Sequence, residues 1–327
     1  MARPKMDLLR ALRESLPVEK RLLLAVSGGK DSVVLLHGCY RLAKSMKLTL
    51  EVGHVDHHIR ENSKDDANFV ADLAQKYGFP FHLCRAEEPP KTENLEAWGR
   101  GLRYSFFAEV LKKRELDFVL TAHTANDVAE TLLMRLFSNK EPTSIERYDP
   151  QRRCIRPLLS VSRNTIEQYL EENGLEFRED ITNTDVSYLR NRVRHRVLPL
   201  LREEFDSRID EVLALRAACL HDDIMFLRSL VLIPVQNVSG YELFSRDWLR
   251  AVKGEMAKLP PPLRWRYAEA LLLPVMGFAI GRSHGSRAME FLCGNTQGVE
   301  LPSGVTLRAK NGGVAFEKIE IPPEKIN

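Results

Sequence analysis

The chain is poor in cysteine, and what it has is scattered. Cys39, Cys84, Cys154, Cys219 and Cys293 make an odd total of five, with no CxxC pair. That excludes a disulfide framework and the usual zinc or cluster spacings, and it reads as reduced, mostly buried thiols of a cytoplasmic protein. Long apolar runs are missing too. The greasiest stretch, Ala270 to Ile280, is interrupted by Pro274 and Gly277 and falls well short of the ~20 residues that span a bilayer. The N-terminus, MARPKMDLLRALRESLP, has no continuous apolar core of the signal-peptide kind and reads as an amphipathic helix. No repeat or low-complexity tract occurs. Neither sign of charge dominates: 48 Lys and Arg against 45 Asp and Glu leave a net +3. The totals therefore neither demand nor exclude a nucleic-acid partner, and the distribution of charge has to decide.

What is present is organised around Ser27-Gly28-Gly29-Lys30-Asp31-Ser32. The apolar run Leu22–Val26 leads into it, and a helical pattern (Val33, Val34, Leu36, His37, Tyr40, Leu42) leaves it. A strand, a Gly-Gly turn flanked by hydroxyls and a helix N-terminus together build an anion cradle, because several N–H groups and the positive helix end face one point. The spacing is not that of a Walker A loop.

From residue 21 to about 137, strands alternate with helices. The strands are Arg21–Val26, Leu48–Val55, Phe79–Cys84 and Phe118–Ala122; the helices are Asp31–Ser45, Ser63–Tyr77, Leu95–Lys113 and Asp127–Phe137. This predicts an α/β fold with a doubly wound parallel sheet whose ligands bind beyond the carboxyl ends of the strands. The motif loops all fall at those ends: SGGKDS, then His54-Val55-Asp56-His57-His58-Ile59-Arg60, then Thr121-Ala122-His123. In the second loop His54 and Arg60 are candidates for nucleotide contact, and a metal reading lacks zinc-type spacing. In helix 95–113, Leu95, Trp98, Leu102 and Phe106 supply a buried face, while Arg100, Arg103 and Tyr104 lie together on another. After His123, Asp127 and Glu130 share a helical face opposite Ala129, Leu132, Leu133 and Leu136. Two readings stay open there: acidic residues suiting the helix dipole, or Asp127 pairing with Asp31 to hold Mg²⁺ on ATP phosphates, with Glu130 facing the substrate.

A short strand within Gln151–Leu159 and a helix Ser162–Asn173 stopped by Gly174 follow. Beyond a polar loop lies the most basic stretch, Tyr188–Arg196. Leu189, Val193, Val197 and Leu200 recur at helical spacing, which puts Arg190/Arg194 and Arg192/Arg196 in two stripes suited to phosphates, against the plainer reading of a solvated helix. Residues 1–205 then form the nucleotide domain, 206–233 a helical connector, and 234–327 a small α+β domain of helices followed by Gly-turned strands.

With these strings on the page the chain resembles one family, the tRNA(Ile)-lysidine synthetases, within the ATP pyrophosphatases that share the PP-loop. SGGKDS, HVDHHIR, GRGLRY, AHTANDVAET, IRPLL and DITNTDVSYLRNRVRHRVLP occur in the family's order, and a looser likeness runs through Ser283, His284, Gly298, Leu301-Pro302 and Gly304. The resemblance implies ATP-dependent attachment of L-lysine to the wobble cytidine of a CAU-anticodon tRNA(Ile). It implies that the 2-carbonyl oxygen is adenylated first and that the lysine amine then displaces AMP. It further implies that Ser27, Gly28, Gly29, Lys30, Asp31 and Ser32 cradle the pyrophosphate with His54, Arg60 and His123 nearby, that Asp31 and Asp127 lie next to Mg²⁺, that Arg100, Arg103, Asp127 and Glu130 surround lysine and base, and that Arg190, Arg192, Arg194 and Arg196 meet tRNA. The family's His-His-x-Asp-Asp-Gln is here His123-Thr124-Ala125-Asn126-Asp127-Val128, which leaves Thr124 and Asn126 without a role, and Gly99 replaces an Ala. A single small C-terminal domain leaves room for a homodimer sharing the tRNA. Three alternatives stand: a sulfur-inserting tRNA enzyme, which the missing CxxC opposes; an ammonia- or glutamine-dependent synthetase, which has no need of RNRVRHR; and a non-catalytic tRNA binder.

Overall fold

The computed structural model describes residues 7–57, 63–86, 95–138, 141–178 and 188–318. Arg60 and the loop 179–187, both singled out by the sequence, lie outside them.

Among the described residues a six-stranded sheet runs β3-β2-β1-β4-β6-β5, with β1 Arg21–Ala25, β2 Thr49–Asp56, β3 Phe81–Arg85, β4 Phe118–Leu120, β5 Tyr148–Asp149 and β6 Cys154–Ile155. All neighbours are parallel except the edge pair β5–β6. Strand β1 is apolar beyond Arg21 because both of its faces are covered. Leu22, Leu24 and Val26 pack on α1 (Leu8–Ser15), α2 (Lys30–Met46) and α6 (Arg163–Asn173), while Leu23 points the other way, onto α4 (Leu95–Lys113). The most buried face of α4 is Phe107, Val110 and Leu111, one step round the helix from the expected Trp98, Leu102 and Phe106, which stay half-buried. Helix α1 seats closely on α2: a Cβ at Gly38 would lie 2.3 Å from Leu12 Cδ1, so any larger residue there would force the buried Leu12 side chain to shift.

The order of strands reverses between β1 and β4. Strand β2 follows β1 on one side through α2, and β4 lies on the other after α3 (Ser63–Lys76), β3 and α4. The loops after β1 and β4, which open α2 and α5 (Ala125–Leu136), therefore part company at this switch point, where open α/β sheets bind ligands.

The basic stretch is helical, with a break in pitch. A turn of α-helix, α7 (Leu189–Arg192), passes into a π-helical turn at Val193–Val197 and then into α8 (Leu198–Glu204). Pro199 has no N–H for the carbonyl of His195 and crowds it, and a wider turn relieves that clash. The extra residue shifts the apolar register. Val193, Leu198 and Leu201 pack with Ala129, Leu133, Met134 and Leu213, whereas Leu189, Val197 and Leu200, expected on the apolar face, are exposed.

The chain divides into two compact units, Met1–Met134 with Ser144–Ala217, and Arg135–Thr143 with Ala218–Asn327. The boundary falls inside the 21-residue helix α9 (Ile209–Ser229), within the segment 206–233 read from the sequence as a helical connector. In the second unit, α10 (Leu232–Val238), α11 (Arg246–Lys258), α12 (Pro261–Met276) and α13 (Gly281–Cys293) share a core with a three-stranded antiparallel sheet, β7 Gly298–Leu301, β8 Val305–Lys310 and β9 Gly313–Lys318. Segment 135–143 belongs here because Glu141 is held by Arg228 at 2.7 Å and Arg266 at 2.8 Å.

Candidate active site

The loop after β1 is shaped by its own hydroxyls and glycines. Gly28 has φ +91°, a left-handed conformation that costs an L side chain about 1–2 kcal/mol. Its carbonyl accepts the Arg178 N–H at 2.9 Å. Ser32 Oγ donates to the Gly29 carbonyl at 2.8 Å, and the Gly29 N–H donates to Ser27 Oγ at 3.3 Å. These bonds draw the chain into a cup at the N-terminus of α2, whose first turn carries Asp31 and whose Ser32 and Val33 N–H groups already donate to the Gly29 carbonyl at 3.0 and 3.1 Å. Lys30 reaches to Glu167 on α6 at 2.7 Å.

Helix α5 supplies the second half. Asp127 Oδ2 accepts the Thr124 N–H at 2.8 Å, closing the first turn as a capping box does. Its Oδ1 takes Arg190 Nη2 at 2.8 Å. Glu130, expected to face the substrate, is instead 1% exposed. Its carboxylate is saturated by Arg190 Nε at 2.7 Å, Arg194 Nε at 2.6 Å and Arg194 Nη2 at 3.1 Å. A buried carboxylate without such partners costs several kcal/mol, so the two guanidiniums are the condition for Glu130 being there. One of the two predicted tRNA-facing stripes is thereby turned inward: Arg190 and Arg194 bind carboxylates. Arg192 and Arg196 are exposed.

The charges set the protonation states. Burial, then the nearby charge of Asp127, push the Asp31 carboxyl up from 3.8 to about 6, against Lys30, Arg194 and Arg163. Burial also acts on Asp127, but Arg190, His123, the Thr124 N–H and Arg194 prevail and hold it below the ordinary carboxylate value. His123, which shares a hydrogen bond with Thr121 Oγ1 at 3.0 Å, is pushed down to about 4, first by burial and then by Arg156, Arg190 and Arg103. At neutral pH it is an uncharged imidazole. His54 is 5% exposed, and its Nδ1 lies 2.8 Å from the Val26 carbonyl. Burial lowers its pKa, so the neutral ring donates to the strand end from which the loop springs.

Arg103 acts electrostatically on both His57 and His123, which brings it to this cluster. Arg100 lies 5.1 Å from the Tyr104 ring centre, with Arg152 at 4.8 Å from the same ring. Arg152 comes from the β5–β6 turn and had no sequence signal. The same holds for Arg163 and Glu167 on α6, whose charges reach the loop. Two carboxylates, one of them raised by its neighbour, beside a cup of backbone N–H groups suit a hard divalent cation bound together with phosphate oxygens. Among the described residues no three His, Cys, Asp or Glu side chains cluster to hold a metal by themselves.

A parallel sheet with this loop at its switch point defines a PP-loop domain, and residues 4–201 match the family of that description. The chain is 40% identical over 206 residues to the tRNA(Ile)-lysidine synthase of Treponema denticola, covering 59% of this chain and 45% of that relative. It is 36% identical over 315 residues to the tRNA(Ile)-lysidine synthase of Thermosynechococcus vestitus, covering 94% and 89%. The chain belongs to the tRNA(Ile)-lysidine synthase family. It spans less than half the length of the Treponema relative and nearly all of the Thermosynechococcus one. Among solved structures it is similar in fold to the U34-tRNA thiolase NcsA from Methanococcus maripaludis with its 4Fe-4S cluster: TM-score 0.55, 17% identity, 65% of this chain and 77% of that one.

Proposed function

We propose that the protein uses ATP to join L-lysine to C2 of the wobble cytidine of CAU-anticodon tRNA(Ile), forming lysidine. The observation that carries this reading is the Asp31–Asp127 pair above the loop at the switch point, in a chain whose likeness to a lysidine synthase runs over 94% of its length. In the proposed reaction the cytosine 2-carbonyl oxygen attacks the α-phosphorus of ATP and pyrophosphate leaves. The lysine ε-amine then adds at C2, loses a proton, and AMP departs with the oxygen.

The residues have the chemistry for their parts. The N–H groups of Gly28, Lys30 and Asp31 receive the pyrophosphate, and the Lys30 ammonium neutralises it. Asp31 and Asp127 fit Mg²⁺, since a cation offsets both the burial and the repulsion from Asp127 that hold Asp31 near 6. Bound there, it would screen the phosphate oxygens as charge shifts to the leaving group. Arg103, close to the neutral His123, is the cation available to the adenylyl group. Glu130 acts through the arginines it anchors, and exposed Arg192 and Arg196 are the proposed phosphate contacts.

The adenylation step is tested by ATP–pyrophosphate exchange without lysine. Exchange that requires CAU-anticodon tRNA and vanishes in Asp127→Asn supports the reading; exchange independent of tRNA contradicts it.

A further inference from the structure

Asn126 stands where the family motif has an acid, and the nucleotide reading gives it no work. Its side chain is nonetheless engaged at both ends. Oδ1 accepts the Arg163 N–H, the first residue of α6, at 3.0 Å. Nδ2 donates to Asp210 Oδ1 in the first turn of α9 at 3.0 Å. Asp210 is 6% exposed and is gripped in turn by Arg202 of α8, Nε at 2.6 Å and Nη2 at 2.9 Å. One amide thus joins four helices, and its neighbour in the chain is Asp127.

Only an amide fits both contacts, since one partner is a donor and the other an acceptor. An aspartate at 126 would set two carboxylates about 3 Å apart in a largely dry site, with Arg202 serving both. A swap of amide and acid between the two positions would keep one donor and one acceptor in the same place.

We propose that Asn126 is a positioning residue for Asp127: through Asp210 and Arg202 it fixes the first turn of α5 against α6 and the start of α9. The proposal rests on Asp127 serving the ATP site.

The test compares wild type, Asn126→Asp, Asp210→Asn and the double variant in the full chain. Hydrogen exchange of the peptides 124–132 and 209–216 reads the clamp without any assumption about function. Lysidine formation with CAU-anticodon tRNA, ATP and Mg²⁺ reads its consequence. Asn126→Asp is expected to exchange faster in both peptides and to lose roughly 10- to 100-fold in kcat, with KM for ATP little changed, because the loop after β1 keeps its own bonds. The double variant is expected to recover most of both. Asn126→Asp exchanging as slowly as wild type, or a double variant no better than the single one in exchange and kcat, overturns the proposal. A wild type that forms no lysidine defeats the functional reading alone, since the exchange data stand apart from it.

Discussion

Burial and the charge of Asp127 hold Asp31 up, while Arg190 holds Asp127 down. Two carboxylates at the ends of neighbouring strands are thereby driven apart in acidity, Asp31 to about 6 and Asp127 below its ordinary value. Such splitting marks sites that handle charge, and here it makes Asp31 the group that answers to a bound cation.

The split has a sign that can be measured. Asp31 titrates near 3.8 in the unfolded chain and near 6 in the folded one. Its contribution to stability is full below the unfolded value and is lost as pH rises through 6. Asp31→Asn should therefore be more stable than the parent at pH 7 by on the order of 2 kcal/mol, the gap closing below pH 4, in urea unfolding without ATP or Mg²⁺. A gap of opposite sign contradicts the assignment. In the active enzyme, kcat/KM for ATP should fall as pH drops through 6, since protonated Asp31 cannot hold the cation.

Glu130 behaves in the opposite way. Glu130→Gln removes the charge shared by Arg190 and Arg194 and should cost about 3–5 kcal/mol in the same unfolding experiment. Asp31→Asn with a higher Tm and Glu130→Gln with a much lower one would separate the cation site from its foundation. Similar Tm values for both would refute the distinction.

Gly28→Ala tests the loop. The strained φ should cost about 1–2 kcal/mol and raise KM for ATP, because the N–H groups of the cup move with it. An unchanged KM would take the loop out of ATP binding.

The arginines can be sorted by salt. Arg192→Ala/Arg196→Ala should weaken tRNA binding and lower the slope of log K against log salt by about 1–2, with Tm unchanged. Arg190→Ala/Arg194→Ala should lower Tm instead. A salt slope untouched by the first pair returns Arg192 and Arg196 to a solvated surface.

Much of this was legible in the sequence, and the reasons are local. Strand–helix alternation with apolar runs reveals the parallel sheet, and the predicted limits of the helix Leu95–Lys113 match those of α4. Gly174 and Ser162 end α6 as expected, one by an αL residue and the other by a side-chain cap. The misses come from tertiary causes. Strand β5 has two residues and no periodicity to read, whereas β6 falls within the short strand expected in Gln151–Leu159. The π turn at Val193–Val197 defeats a 3.6-residue count, which hid that Leu198 rather than Val197 is buried. That Arg190 and Arg194 turn inward depends on Asp127 and Glu130, some 60 residues away. The excursion of 135–143 into the second unit depends on Arg228 and Arg266 in the same way.

The central claim is best tested by incubating the protein with labelled lysine, ATP, Mg²⁺ and unmodified CAU-anticodon tRNA. The account predicts label at the wobble cytidine, one AMP and one pyrophosphate per lysine joined, and none of these with Asp127→Asn. ATP turnover on this tRNA without lysine incorporation, or incorporation that survives Asp127→Asn, would contradict it.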